Sequence, residues 1–308
     1  MGFESTIGGM RAVEGRAPAA GDGATGTKIV LLAGNMKIAD KVGHHDYRAG
    51  CALLAFLLEQ TSGVRTVVLH NGWPEDERVF DNARALVVYT GGGSKHEFLH
   101  SAQRIERIQE LIERGVGMVM VHQAVHYPPE VAGQAMTWIG GAHVPGKSGR
   151  GHWQTHHREF PQHPVTRGVR PWRIRDGWLN QIQFVDGMSG VTPLVWSSKR
   201  YRGSSDGGPA DVVSWTYERP TGGRSFSFTG LDAHSAWSVP GVRQLMVNGI
   251  LWSAGLPIPE AGAPCAVDDA MLNSYLTARQ FRGKRVIRNL LRRLGWITPR
   301  SGVPPCGR

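Results

Sequence analysis

The chain has thirteen histidines among 308 residues, and their placement is what suggests chemistry. His122 stands where the apolar run Val116-Gly-Met-Val-Met-Val121 stops, and His126 follows four residues later. His45 lies in Gly43-His44-His45-Asp46-Tyr47, after the first apolar run, and His96 follows the third. His234 lies in Gly230-Leu-Asp-Ala-His-Ser-Ala-Trp237, directly after the last. If these runs are strands of an open α/β sheet, the loops at their carboxyl ends surround one ligand crevice, and at least three imidazoles can approach one point. Neutral imidazole is the commonest ligand for zinc and its neighbours in the transition series. His45, His122 and His234 are therefore the candidate ligands of a divalent metal ion, with zinc a suitable metal. Such an ion polarises a carbonyl or hydroxyl, and Asp46, Asp176 or His126 would then move the proton. No His-x-x-x-His helix or close Cys pair fixes the spacing, so for any one of these residues the alternative is a hydrogen-bonded loop histidine.

Other chemistries are less well served. The sharp turn after the fourth run, Val121-His122-Gln123-Ala124, falls where class I amidotransferases keep a nucleophile, but neither Cys nor Ser is present, which argues against amide hydrolysis through a thioester. Gly91-Gly92-Gly93 fits neither G-x-x-x-x-G-K nor G-x-G-x-x-G, so a tight turn is the simpler use. Cys51, Cys265 and Cys306 are too far apart for a Cys-x-x-Cys site, and an odd count gives no disulfide framework. Among ten tryptophans, Trp153, Trp178 and Trp237 lie beside polar clusters and are expected as walls on which a sugar ring could stack, with His152 as a polar contact.

The elements that must position these residues follow from hydrophobic patterning. Lys28–Gly34, Arg65–His70, Ala85–Thr90 and Val116–Val121 read as buried strands. Asp46 is placed to cap a helix over Arg48–Gln60. An amphipathic helix is expected over 98–114, with Leu99, Ile105, Ile108, Leu111 and Ile112 facing inward. A short acidic helix fits Glu75–Asn82, and another helix fits Ala132–Ile139. Residues His143–Phe184 read as rich in loops. Short strands at Trp178–Phe184, Pro193–Ser197, Val212–Arg219 and Arg224–Thr229 favour antiparallel pairing at an edge, before a last helix over Gly241–Ala254. Strands alternating with helices imply a mainly parallel sheet covered on both faces, an α/β sandwich.

The composition, 41% hydrophobic and 19% charged, is that of an ordinary globular protein. With no secretory signal and no apolar run of membrane-spanning length, the expected location is cytoplasmic. The net charge of +10 belongs largely to the C-terminus: residues 271–308 hold nine Lys and Arg and no Asp or Glu, leaving about +1 (10 − 9) elsewhere. The expected organisation is a disordered leader over 1–26, one α/β domain over 27–256, a Pro/Ala linker over 257–267 and a basic tail over 268–308. In that tail Ile287, Leu290, Leu291 and Leu294 share a helical face. Such a basic amphipathic helix suits an anionic membrane, an acidic protein or nucleic acid as partner, or docks on the body by its apolar stripe. Homo-oligomerisation is also open to the chain.

Taken as a set, Lys28-Ile-Val-Leu-Leu-Ala-Gly, Gly43-His-His-Asp-Tyr, Asn71-Gly-Trp-Pro, Gly115-Val-Gly-Met-Val-Met-Val-His, Trp138-Ile-Gly-Gly, Phe160-Pro-Gln-His-Pro-Val-Thr-Arg-Gly-Val and Leu251-Trp252 resemble the trehalose-utilisation, or ThuA-like, family. The resemblance spans about residues 28–260. It implies a class I glutamine amidotransferase-like, flavodoxin-like three-layer α/β/α sandwich without the glutaminase nucleophile, and a role in catabolism of trehalose and related sugars through (keto-)disaccharides or glycosides. Two departures stand out. Family members commonly have Asp-Glu before an aromatic where this chain has Asp176-Gly177-Trp178, so Asp176 would have to supply the missing carboxylate. Relatives often have His-x-His where this chain has Asp232-Ala233-His234, and Asp232 can replace His as a metal ligand. The expected function is a metal-assisted enzyme acting on such a sugar. The alternative is a non-catalytic carbohydrate-binding or regulatory protein on the same scaffold.

Overall fold

The computed structural model describes residues 26–35, 43–70, 72–197 and 212–276. The leader, the Ile287–Leu294 stripe and Cys306 lie outside these residues.

A seven-stranded sheet runs in the order β2-β1-β3-β4-β11-β10-β9. Its parallel part consists of β2 (Val64–Leu69), β1 (Thr27–Ala33), β3 (Ala83–Tyr89), β4 (Gly117–Val121) and β11 (Arg224–Phe228). β10 (Val212–Glu218) and β9 (Val191–Trp196) extend it antiparallel at one edge, as the short strand spacing predicted. Side chains of a central strand alternate between two buried cores. Ile29 and Leu31 of β1 meet helices α1 (Tyr47–Leu58) and α4 (Pro240–Ser253) on one face, while Val30 and Leu32 join the core of α2 (Ala102–Glu113) and α3 (Ala132–Ile139) on the other. Burial on both faces explains why these strands read as continuous apolar runs. The result is the expected three-layer sandwich with the order 2-1-3-4-5 in its parallel part, whose switch point between β1 and β3 opens a crevice at the strands' carboxyl ends.

Local chemistry sets the helix starts. The Asp46 side chain accepts from Ala49 N at 3.2 Å and caps α1. Ser101 caps α2, which therefore begins at Ala102 and not at 98. The acidic segment forms a single 3₁₀ turn over Glu77–Phe80.

The largest difference from expectation lies in His143–Phe184, expected to be rich in loops with one short strand, Trp178–Phe184, at the edge of the main sheet, which that segment does not join. Here β6 (Gly149–His157) and β7 (Trp172–Asn180) form a separate antiparallel ribbon, and β5 (Gly141–Ala142) pairs with β8 (Gln183–Phe184). In β6 the alternation is present but polar: Trp153, Thr155 and His157 point inward while His152, Gln154 and His156 point out. Residues 257–267, expected as a linker, are fastened to the body. Gln60 bonds both the carbonyl and the N–H of Ala266, Arg167 donates to the Ile258 carbonyl, and Ile258 and Ala263 are buried. The same holds for α5 (Asp269–Ser274), whose Leu272 packs into the core. Among the described residues no helix is long and apolar enough to cross a membrane.

Candidate metal centre

At the end of β4 the chain turns sharply into a 3₁₀ turn, and His122 takes φ +57°, a left-handed conformation that costs a non-glycine residue on the order of 1 kcal/mol or more. His45 (φ +52°) and Leu231 (φ +71°) share this feature, so three of the six positive-φ non-glycine residues among those described lie around one point. That point is the carboxylate of Asp232, which is buried.

Four imidazoles surround it. Oδ1 lies 2.7 Å from His45 Nε2 and 3.5 Å from His122 Nε2, while Oδ2 lies 2.6 Å from His44 Nδ1 and 2.8 Å from His152 Nε2. Two ligand sets result, His45/His122/Asp232 and His44/His152/Asp232, and within each the donor atoms lie within 4.8 Å of one another. Burial by itself would raise the Asp232 carboxyl. The imidazoles of His122, His45 and His44 outweigh it and hold the group well below the usual carboxylate range, so Asp232 is an anion.

His122 is the informative member. Its Nδ1 faces the Thr229 carbonyl at 3.0 Å, and a carbonyl can only accept, so the neutral ring's proton resides on Nδ1. Nε2 then presents a lone pair, buried and without a hydrogen-bond partner, toward an anionic carboxylate. A lone pair facing a carboxylate is unfavourable, so the gap is filled either by a proton on Nε2, which gives the charged ring that holds Asp232 ionised, or by a metal cation in its place. An N–H anchored on a backbone carbonyl is also how protein-bound metals fix the ligating tautomer of histidine. The donor set thus fits a divalent ion.

The backbone around Asp232 is held from two sides. His45 N donates to the Asp232 carbonyl at 2.9 Å, and His234 N donates to that of Gly43 at 2.7 Å, zipping the loop after β1 to the loop after β11. Behind them, Asp176 on β7 accepts from Leu231 N at 2.6 Å, Gly177 N at 2.8 Å and Ala233 N at 3.0 Å. Burial raises the Asp176 carboxyl, and the Ala233 N–H and nearby His122 oppose this. Asp176 is a clamp on the Asp232 loop.

Of the residues expected to bind a metal, His45, His122 and Asp232 come together. His234 does not join them: it opens a 3₁₀ turn and its Nε2 bonds the Leu272 carbonyl at 3.0 Å. His152, expected as a substrate contact, touches Asp232 instead. Of the expected proton carriers, Asp46 caps α1 and Asp176 binds backbone, while His126 packs on His143 (ring centroids 4.5 Å apart) and against the Gly92–Gly93 turn. Trp153, Trp178 and Trp237 are all buried, Trp178 donating to the Trp153 carbonyl at 3.2 Å, so the stacking walls expected of them are not offered. A groove of about 480 Å³ beside Phe160, His163, Arg167 and Glu260 shares no residue with the cluster.

Sequence reasoning did not single out His44. Adjacent residues of an extended chain face opposite ways, so a pair of neighbouring histidines does not by itself point to one centre. The left-handed turn at His45 brings both rings to one carboxylate. A glycine followed by two histidines at the first strand's end was the available signal.

The family model for ThuA, described as "Trehalose utilisation", matches residues 36–253. The chain belongs to this family. ThuA-like proteins from Bacteroides uniformis (TM-score 0.55, 13% identity, 81% of this chain and 99% of that one) and Parabacteroides merdae (TM-score 0.53, 14% identity, 78% and 98%) share the fold. PurLQS from Thermotoga maritima gives a lower score of 0.42, at 13% identity over 75% of this chain and 97% of that one. No curated protein matches the sequence.

Gly177 and Asp232, the two positions singled out in the sequence, compete for one space. A Cβ built on Gly177 would lie 2.7 Å from Asp232 Cβ, 2.8 Å from Cγ and 2.9 Å from Oδ2. A larger residue at 177 and Asp232 in its present position exclude one another.

Proposed function

We propose that this ThuA family member is a metal-assisted enzyme acting on a (keto-)disaccharide or glycoside, with a divalent ion of the zinc type held by His45, His122 and Asp232. The observation that supports this reading is the buried His122 Nε2, whose lone pair is aimed at the Asp232 carboxylate and has no partner. When bound, such an ion supplies a Lewis acid for a carbonyl or hydroxyl oxygen of the sugar.

The chain's own residues divide the remaining work. Thr229 fixes the His122 tautomer, Asp176 and Gly43 hold the loops that present Asp232 and His45, and the strained elbow turns the His122 ring into the crevice. His126 lies just past that elbow. Burial and then nearby Arg150 lower its pKa, so it is neutral near pH 7 and is the residue to which we assign proton transfer. A glutaminase reaction is not part of this reading, because histidine occupies the elbow position. Metal analysis of the purified chain and of His122→Ala, followed by assays on a panel of keto-disaccharides and glycosides, tests the proposal. A metal-free wild type, or a loaded protein inert to every sugar of the panel, would favour a carbohydrate-binding role without catalysis.

A further inference from the structure

We propose that the centre holds two divalent cations, one in each ligand set, bridged by the carboxylate of Asp232. This rests on the metal reading above and extends it to His44 and His152. The two oxygens of Asp232 face different pairs of imidazoles: Oδ1 faces His45 and His122, Oδ2 faces His44 and His152. Each set offers two nitrogens and one oxygen, a donor combination suited to zinc, manganese or cobalt. Among the described residues no larger set of His, Cys, Asp or Glu donors meets the same 4.8 Å span, so the four imidazoles are arranged as two pairs and not around one point. A carboxylate shared between two ions is a usual way of holding them about 3.5–4 Å apart.

The surroundings fit this division. The sets differ in one histidine each, the His122 side chain being only 3% exposed and that of His152 57%, while His45 and His44 are alike at 25% and 24%, so the second set includes the ligand nearest solvent. His152 is carried on the β6–β7 ribbon directly opposite Gly177, the glycine whose missing side chain leaves room for Oδ2. Two ions against one carboxylate leave the centre strongly cationic. It would therefore favour a ligand that offers adjacent oxygens, such as the neighbouring carbonyl and hydroxyl of a keto-sugar.

The test uses the full chain stripped with chelator and titrated with Mn²⁺ or Zn²⁺, with bound metal counted by mass spectrometry and the Mn²⁺ form examined by electron paramagnetic resonance. The expected result is two ions per wild-type chain with an exchange-coupled Mn²⁺ signal. In His152→Ala, at a position 57% exposed and outside the core, content falls to one and the spectrum becomes that of isolated Mn²⁺; His44→Ala gives the same change. One ion per wild-type chain with an uncoupled spectrum overturns the pair and leaves the single-ion reading standing. No bound ion overturns both. Two ions retained in both variants would place the second ion elsewhere and also overturn the proposal.

Discussion

Gly177→Ala is the most informative perturbation of this centre outside the ligands. The added methyl would sit 2.7 Å from Asp232 Cβ and 2.8 Å from Cγ, closer than carbon atoms approach without displacement. Relief is hard to find, because the Asp232 backbone is bonded by His45 and its flanking N–H groups by Asp176. Overpacking of this kind costs about 1–3 kcal/mol, which for a body of this size lowers Tm by roughly 2–12 °C. Because the clash is with a metal ligand, metal content should fall as well. Differential scanning fluorimetry of Gly177→Ala, Asp232→Gly and the double variant separates the causes. With the whole Asp232 side chain removed, its Cβ included, the methyl has space, so Gly177→Ala should cost much less there, a coupling of about 1 kcal/mol or more. Equal Tm losses in both backgrounds would refute this competition for space.

Three further outcomes follow. Asp176→Ala leaves three backbone N–H groups without their acceptor, at about 1–3 kcal/mol each, so Tm should fall by at least about 6 °C and metal content should fall although Asp176 is not a ligand; a folded variant with full metal would contradict the clamp. Burial holds His96 neutral down to about 4, against about 6.5 in an unfolded chain, so its contribution is intact above about pH 6.5 and is lost as pH falls toward 4, where the unfolded state takes up the proton. Urea midpoints should therefore show about 2 kcal/mol less loss between pH 7 and pH 5 in His96→Gln than in wild type, and identical pH slopes would be evidence against a neutral buried His96. Purified protein should release no ammonia from glutamine, since histidine replaces the nucleophile at the elbow, and steady glutamine-dependent release would overturn that assignment.

What could be read from the sequence follows the physics of burial. Strands β1, β3 and β4 are covered on both faces, so each appears as an unbroken apolar run, and His122 is marked by the point where one such run stops. The β6–β7 ribbon is partly exposed and built from His, Gln, Thr and Arg, so its period-two pattern lacks apolar contrast and was mostly read as loop. That hid the position of His152, and with it half of the Asp232 environment. His234 misled for a related reason: the sequence places it at a strand end, but the 3₁₀ turn it opens directs its ring to Leu272, a contact 38 residues away along the chain. Gly177 looked like a lost carboxylate because sequence shows the missing side chain and not the Asp232 side chain that occupies its space.

The central claim is that His122 presents a metal-ligating lone pair to Asp232. It is tested most directly by metal content in wild type and His122→Ala, each purified without chelator and shown to be folded by circular dichroism. The account predicts a divalent ion in the wild type and loss of most of it in the variant at nearly unchanged secondary structure. A metal-free wild type, or equal metal in the two proteins, would contradict it.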